Sequence, residues 1–270
     1  MSKRPDGYHT IETLFERIRF GDEIILKKRS SGIFLRVSSL DVPKGETNLA
    51  FKAAELLRLE CGIKEGVEII LKKNIPVSAG LGGGSSNAAT VLLGLNRLWR
   101  LHLSKDKLLH FASKLGSDVP FFILETSFAM GRGRGEILRP VLGIQKRLWH
   151  CLVKPSFGIA TKEAYEGLPK ARLTPLNTDV RMLIRALRTG DSERLSNLLT
   201  NSLELSLNKR VRGISGIKKK LVFEGALAAL MSGSGSTVFG IFSSEKAART
   251  AARNLKRKNK SWKVFVAATY

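Results

Sequence analysis

A chain of 270 residues with 43% hydrophobic content can bury a sizeable core, and its length suits two lobes of ordinary size. Its two cysteines, Cys61 and Cys151, have no spacing for a metal site or a disulfide framework, and no apolar stretch is long enough to cross a bilayer, so a soluble protein of a reducing, cytoplasmic compartment is expected. The formal charge of +23 attracts any polyanion, but no aromatic-interleaved basic stripe and no zinc-finger, RNP or KH signature accompanies it, so the cations read as solvated helix faces, with neither a specific nucleic-acid partner nor a membrane expected.

The chain opens on Lys3-Arg4-Pro5-Asp6-Gly7-Tyr8-His9, in which Pro-Asp-Gly is turn chemistry and predicts a hairpin. Residues 8–20 and 24–28 read as strands, and residues 1–4 leave little for the strand before the turn. After a polar loop, Leu49, Ala53, Leu56 and Leu57 recur at helical spacing over 48–59, with Gly62 as the stop. Residues 67–73 read as a strand. Ser104 is a good N-cap for a helix to about Leu115, and Gly116 ends it before Ser117-Asp118-Val119-Pro120. Residues 131–136 (GRGRGE) read as a flexible basic loop. From Cys151 onward the pattern is strand, two or more helices, strands over 227–231 and 237–242 around the loop Ser232-Gly233-Ser234-Gly235-Ser236, a helix capped by Ser244, and a last strand over 262–267. Domain limits of 1–150 and 151–270 follow, the second an α+β layer of antiparallel strands with helices.

The most informative segment is Pro76-Val77-Ser78-Ala79-Gly80-Leu81-Gly82-Gly83-Gly84-Ser85-Ser86, followed by an apolar helical face at Val91, Leu92, Leu95 and Leu98. Glycines without Cβ let a bulky anion approach and turn backbone N–H groups toward it, and the helix that follows adds the positive end of its dipole. That is a phosphate cradle. It is neither a Walker loop, which needs Gly-Lys-Ser/Thr where Gly84-Ser85-Ser86 stands, nor the dinucleotide fingerprint, which needs a glycine at Ser85. Ser85 and Ser86 can serve as N-cap, as phosphate donors or as magnesium ligands. Asp118, before Val-Pro, is equally a turn or capping residue on its own evidence, and a Tyr-His pair on a strand is more often packing than recognition.

Taken together, Pro-x-x-x-Gly-Leu-Gly-Gly-Gly-Ser-Ser, Gly-Ser-Asp-Val-Pro-Phe and Met-Ser-Gly-Ser-Gly-Ser resemble the GHMP kinases over essentially the whole chain. The resemblance implies an α+β fold of two lobes, the first of ribosomal-protein-S5-like type and the second a ferredoxin-like antiparallel sheet with helices. It implies ATP and Mg2+ as cofactors, with residues 76–86 on the ATP phosphates and Ser86 as a metal ligand. Asp118 becomes the general base toward an acceptor hydroxyl. Asn48 and Lys52 fall in a region similar to the adenine side of the family's pocket. Arg4-Pro5-Asp6-Gly7-Tyr8-His9 resembles the branch whose acceptor is 4-diphosphocytidyl-2-C-methyl-D-erythritol (CDP-methylerythritol), phosphorylated on its 2-hydroxyl. Tyr8, His9 and Tyr165 would then read the cytidine, Arg134 the substrate phosphates, and Gly233 and Ser234 a loop closing the site. A monomer or weak homodimer acting on a small molecule is expected.

Other members acting on homoserine- or mevalonate-type alcohols are the rivals among enzymes, and Tyr8-His9 argues against them. A basic nucleic-acid-binding protein is the rival from another class, supported by charge alone. Family members also carry, before this element, a strand with Ala-Lys-Ile-Asn or a near variant whose lysine faces the reacting phosphate. No such strand stands here and Lys3 does not take that role, so a start at an internal methionine and poor turnover of the chain as written are expected.

Overall fold

The structure, a computed structural model, describes residues 2–3, 9–39, 41–168, 180–207 and 211–270. Tyr8 and the turn at residues 5–7 lie outside the described residues. The expected hairpin is present: β1 (Ser2–Lys3) pairs antiparallel with β2 (His9–Thr10), setting Lys3 opposite His9. The segment read as one strand over 8–20 is divided, with β3 at Thr13–Glu16. β4 (Glu23–Arg29) then leads into β5 (Ile33–Val37), a strand where the sequence predicts only a polar loop. Ile33, Leu35 and Val37 alternate with outward Phe34 and Arg36, a half-buried strand pattern that is only five residues long.

α1 (Leu49–Cys61) starts on Asn48 and stops at Gly62, whose φ of 65° is the left-handed conformation that ends a helix at little cost to glycine. β6 (Gly66–Lys72) sits between β4, antiparallel, and β5, parallel. Helices α2 (Gly83–Leu98), α3 (Lys105–Leu115) and α4 (Val119–Leu124) follow. Ser104 caps α3 as expected, its hydroxyl accepting from the Lys107 N–H. β7 (Phe128–Arg132) and β8 (Ile137–Pro140) form a hairpin that joins β3 through β7. Its tip corrects the flexible loop expected at 131–136: Gly131 and Arg132 belong to β7, the Ile11 N–H donates to the Gly133 carbonyl at 2.7 Å, and Arg132 donates to Glu12 at 2.8 Å.

β9 (Trp149–Lys154) opens the second lobe, so that its sheet begins two residues ahead of residue 151. Then come α5 (Thr161–Glu166), α6 (Val180–Thr189), α7 (Ser192–Leu198), a 3-10 turn at Ser202–Ser206, α8 (Val211–Phe223), β10 (Ala228–Met231), β11 (Val238–Phe242), α9 (Glu245–Lys258) and β12 (Lys263–Ala268). The sheet runs β10-β11-β9-β12, all antiparallel. Numbered within the lobe that order is 2-3-1-4, the ferredoxin-like arrangement of the α+β fold expected.

Each lobe has its own core. Leu57, Ile69, Leu92, Leu95 and Phe111 lie at the centre of the first, and Val153, Ile214, Leu221, Val238 and Leu255 at that of the second. A third cluster, Phe128, Leu148, Leu183, Leu187, Leu195 and Ile241, spans the junction. Polar groups close the joint: Glu16 of β3 accepts from Thr269 and meets the buried His150 ring, each at 2.8 Å, and Tyr270 donates its N–H to the Arg17 carbonyl. Apolar burial therefore brings the lobes together, and these bonds fix the register between them.

Candidate active site

The glycine segment crosses from β6 to α2 as an irregular loop. Its first anchor is Asp22, which accepts from the backbone N–H groups of Asn74 (2.7 Å) and Ile75 (2.8 Å) and pairs with the Lys73 ammonium, both side chains being nearly inaccessible. α2 begins at Gly82, in the left-handed conformation (φ 63°) with no side chain to cap the helix. Neither Ser85 nor Ser86 is the N-cap. Ser86 turns its hydroxyl onto the Gly83 carbonyl at 2.9 Å, leaving its oxygen lone pairs free, and Ser85 stays open. Among the described residues no protein acceptor meets the N–H groups of Gly83, Gly84 or Ser85. A helix of 16 residues thus presents an uncapped positive end at the floor of a glycine loop, the arrangement that holds phosphate.

Asp118 stands in the turn before α4, at its N-cap position, but its carboxylate makes no capping bond and is left free for another use. Among the described residues no cation or hydrogen-bond donor meets it. Its side chain keeps an exposed face toward the cleft, yet protein crowds it on the other sides, and the lost hydration pushes its carboxyl above the ordinary value. Tyr165, on α5 of the other lobe, comes near enough to feel that charge. Burial first and Asp118 second push the phenol up, so it stays a protonated donor. The Tyr165 ring lies 5.7 Å from the His9 ring, tilted by 32°, and the buried His9 Nδ1 has no partner. Three residues far apart in sequence, His9, Asp118 and Tyr165, therefore line one place: a carboxylate beside two aromatic rings and an orphaned ring nitrogen.

The loop at 232–236 reaches this place from the second lobe. Ser232 donates its hydroxyl to the Gly80 carbonyl (2.8 Å), Thr237 its N–H to the Ala79 carbonyl (3.2 Å), and Ser234 shares a hydrogen bond with Thr161 (3.1 Å) at the start of α5. Gly80 (φ 70°) has no room for a side chain, since a Cβ would stand 2.2 Å from the Ser232 carbonyl oxygen. Gly233 and Ser234 thus lie in a loop that bonds the glycine segment on one side and α5 on the other. Roles for Ser232 and Thr161 were not visible in sequence, because nothing local marks a residue that bonds across more than 70 positions.

The remaining candidates fare unevenly. Asn48 spends both ends of its side chain on structure, accepting from the Ala50 N–H (2.9 Å) and donating to the Pro43 carbonyl (2.8 Å); it is the N-cap of α1. Lys52 is exposed on α1. Arg134 donates its N–H to Glu136 (2.5 Å), with its guanidinium 3.7 Å from the same carboxylate. A cavity of about 580 Å³ opens beside Pro76 and Val77, bounded by Phe20, Phe265, Arg19, Lys73 and Lys263, and no local sequence signal marked it. Among the described residues no cluster of three or more His, Cys, Asp or Glu could hold a metal by itself, and no helix is long and apolar enough to cross a membrane.

Comparisons with known proteins show the family. Residues 48–126 match the family model for the GHMP kinases N terminal domain, and residues 183–261 that for the GHMP kinases C terminal. The chain is 42% identical over 264 residues to the 4-diphosphocytidyl-2-C-methyl-D-erythritol kinase of Pelotomaculum thermopropionicum, covering 95% of this chain and 89% of the relative. It is 39% identical over 261 residues to that of Clostridioides difficile, covering 96% and 88%. A crystal structure of a 4-(cytidine 5'-diphospho)-2C-methyl-D-erythritol kinase superposes with a TM-score of 0.84 at 33% identity over 98% of this chain and 92% of the other. Homoserine kinase from Cytophaga hutchinsonii, at 21% identity and a TM-score of 0.73, shares the fold.

Proposed function

This chain belongs to the 4-diphosphocytidyl-2-C-methyl-D-erythritol kinase family of the GHMP kinases, and from that premise we propose that it transfers the γ-phosphoryl group of ATP to the 2-hydroxyl of CDP-methylerythritol, in the non-mevalonate route to isoprenoid precursors. The observation that carries this is the 232–237 segment, which bonds the glycine loop at Ala79 and Gly80 on one side and Thr161 on the other, at the head of the helix whose Tyr165 meets Asp118 and His9.

ATP fits the glycine loop. The backbone at Gly80 and Gly82 adopts left-handed angles that leave the first-turn N–H groups of α2 without protein partners, and these hold the phosphates. The base and ribose have room in the cavity beside Pro76 and Val77, with Phe20 and Phe265 as apolar walls and Lys263 as a cation in its lining. Magnesium, carried in with ATP, would be held by the free lone pairs of Ser86 and would neutralise phosphate charge; few protein ligands suffice for an ion that keeps its waters and phosphate oxygens.

Asp118 acts on the acceptor. Its carboxylate takes the hydroxyl proton as that oxygen forms a bond to the γ-phosphorus, while the bond between the γ-phosphorus and the bridging oxygen breaks and ADP leaves with the electron pair. The raised pKa of Asp118, caused by lost hydration, makes its carboxylate a stronger base than that of an ordinary aspartate. Tyr165 and His9 take the cytosine: the ring of Tyr165 offers a stacking face, and the unpartnered Nδ1 of His9 offers a hydrogen bond to the edge of the base. The cytoplasm, where ATP is abundant and Cys61 and Cys151 stay reduced, is the fitting compartment.

The test is ATP consumption by this chain with CDP-methylerythritol, homoserine or mevalonate as acceptor. Turnover is expected with the first alone, and preference for either of the others overturns the choice of acceptor.

A further inference from the structure

The segment between α7 and α8 contributes nothing to the site described above, yet it holds the closing loop from behind. Asn201 donates its side-chain amide to the carbonyls of Met231 (2.9 Å) and Gly233 (2.8 Å), while its own oxygen accepts from the Leu203 N–H at 2.9 Å. Three residues on, Glu204 accepts from the Met231 N–H at 3.0 Å through Oε1 and pairs with Lys218 at 2.7 Å through Oε2. Covering the outer edge of β10 would account for the bonds to Met231, the last residue of that strand. It does not account for the bond to Gly233, which lies inside the loop. That bond draws a second carbonyl toward Asn201, and among the described residues the N–H groups of Gly233 and Ser234 meet no protein acceptor.

We propose that Asn201 and Glu204 are positioning residues for phosphoryl transfer, which hold the 232–235 loop where it meets both halves of the site. The inference rests on reading the glycine loop as the ATP site. On one side the loop touches Gly80 through Ser232, and on the other Thr161, at the head of the helix that carries Tyr165, through Ser234. A side chain that fixes the carbonyls of this loop therefore fixes the lobe-to-lobe spacing at the phosphates, and a displacement of about 1 Å there is costly to a reaction that depends on placement.

The experiment compares ATP kinetics and ATP binding in the full chain and its variants, well below each melting temperature. Asn201→Ala is expected to raise the KM for ATP about tenfold, and Asn201→Asp further, because the new carboxylate faces two carbonyl oxygens. Glu204→Gln, which keeps the oxygen that accepts from Met231, is expected to stay near the unmodified chain, with Glu204→Ala following Asn201→Ala. A purely structural role would lower the melting temperature and the active fraction, hence kcat, with KM for ATP unchanged, and that result overturns the proposal. Where Asn201→Ala fails to fold, Asn201→Ser is measured in its place under the same criterion. Calorimetry with ATP and no acceptor separates the two layers: equal Kd in Asn201→Ala and the unmodified chain overturns the positioning role alone, whereas no ATP binding by the unmodified chain overturns the ATP-site reading beneath it.

Discussion

Ser232 and Gly80, 152 residues apart, are joined by a 2.8 Å hydrogen bond from the serine hydroxyl to the glycine carbonyl, and the same serine's carbonyl oxygen occupies the space a side chain on Gly80 would need. The phosphate loop of one lobe is thus shaped by a backbone segment of the other. Alanine at position 80 must push Ser232 and Gly235 away at 2.2 and 2.8 Å while adopting a φ of 70°, a strain on the order of 1–3 kcal/mol before the displaced loop is counted. Gly80→Ala is expected to melt several degrees lower and to lose ATP binding by calorimetry. Gly84→Ala is the control: its Cβ meets only Leu49 at 3.5 Å, and a helical alanine is favoured over glycine by about 1 kcal/mol, so it should melt at or above the unmodified protein.

Asp118→Asn separates chemistry from stability. Loss of the base is expected to lower kcat by about 10²–10⁴-fold. The carboxyl is pushed up by burial, so the folded state binds its proton more tightly than the unfolded chain does. Stability from this group is therefore full below the unfolded value and falls as pH rises through the folded one. A neutral amide in the same place carries no such cost, so the variant should melt higher than the parent at neutral pH and match it in acid. A lower melting temperature at neutral pH would show that the Asp118 charge is stabilised in the fold. In the parent, kcat/KM for the acceptor should fall on the acid side at a pH above the ordinary aspartate range.

Tyr165 is expected to act on the acceptor and not on ATP. Tyr165→Ala should raise the acceptor KM about tenfold or more, since stacking on a base contributes roughly 1–3 kcal/mol, and should leave the KM for ATP within about twofold. Tyr165→Phe retains the ring against His9 and should recover most of that loss. Equal effects on both substrates would place Tyr165 in the lobe joint instead.

The thiols should differ sharply. Burial, with the Glu224 charge behind it, pushes Cys151 up to about 12, and burial also raises the half-buried Cys61. A thiol reagent such as Ellman's should therefore modify Cys61 slowly in the native protein and Cys151 only after denaturation. Fast native reaction of both would mean that the β9 core opens readily.

Much of this protein can be read from short stretches of sequence. Asn48, Gly62, Ser104 and Ser244 mark helix ends because capping is settled within three or four residues, and all four act as those ends here. The glycine loop is equally legible, since glycine spacing followed by an amphipathic helix is a local property. Errors came where local signals were short or mixed. β5 has only three inward apolar residues, and the glycines at 131, 133 and 135 hid a hairpin tip that is held by Ile11 and Glu12 from another segment. Asn48, a candidate inferred from its neighbourhood, gives one lone pair of its side chain to the start of α1 and one N–H to the Pro43 carbonyl before it.

What the sequence determined by itself was the inventory: a phosphate-cradling loop, a carboxylate before Val-Pro, a Tyr-His element and the α+β order of elements. What only the tertiary structure decided was which of these face one another. Asp118 reads as a base because Tyr165 and His9, 47 and 109 positions away, close around it and no capping bond claims it. Ser232, Asn201 and Glu204 gain meaning only through bonds that span the lobes or the 3-10 turn. The physical reason is range. Caps, turns and periodicity are decided by energies within a few residues, whereas lost hydration and a loop's register depend on groups that only the packed core brings together.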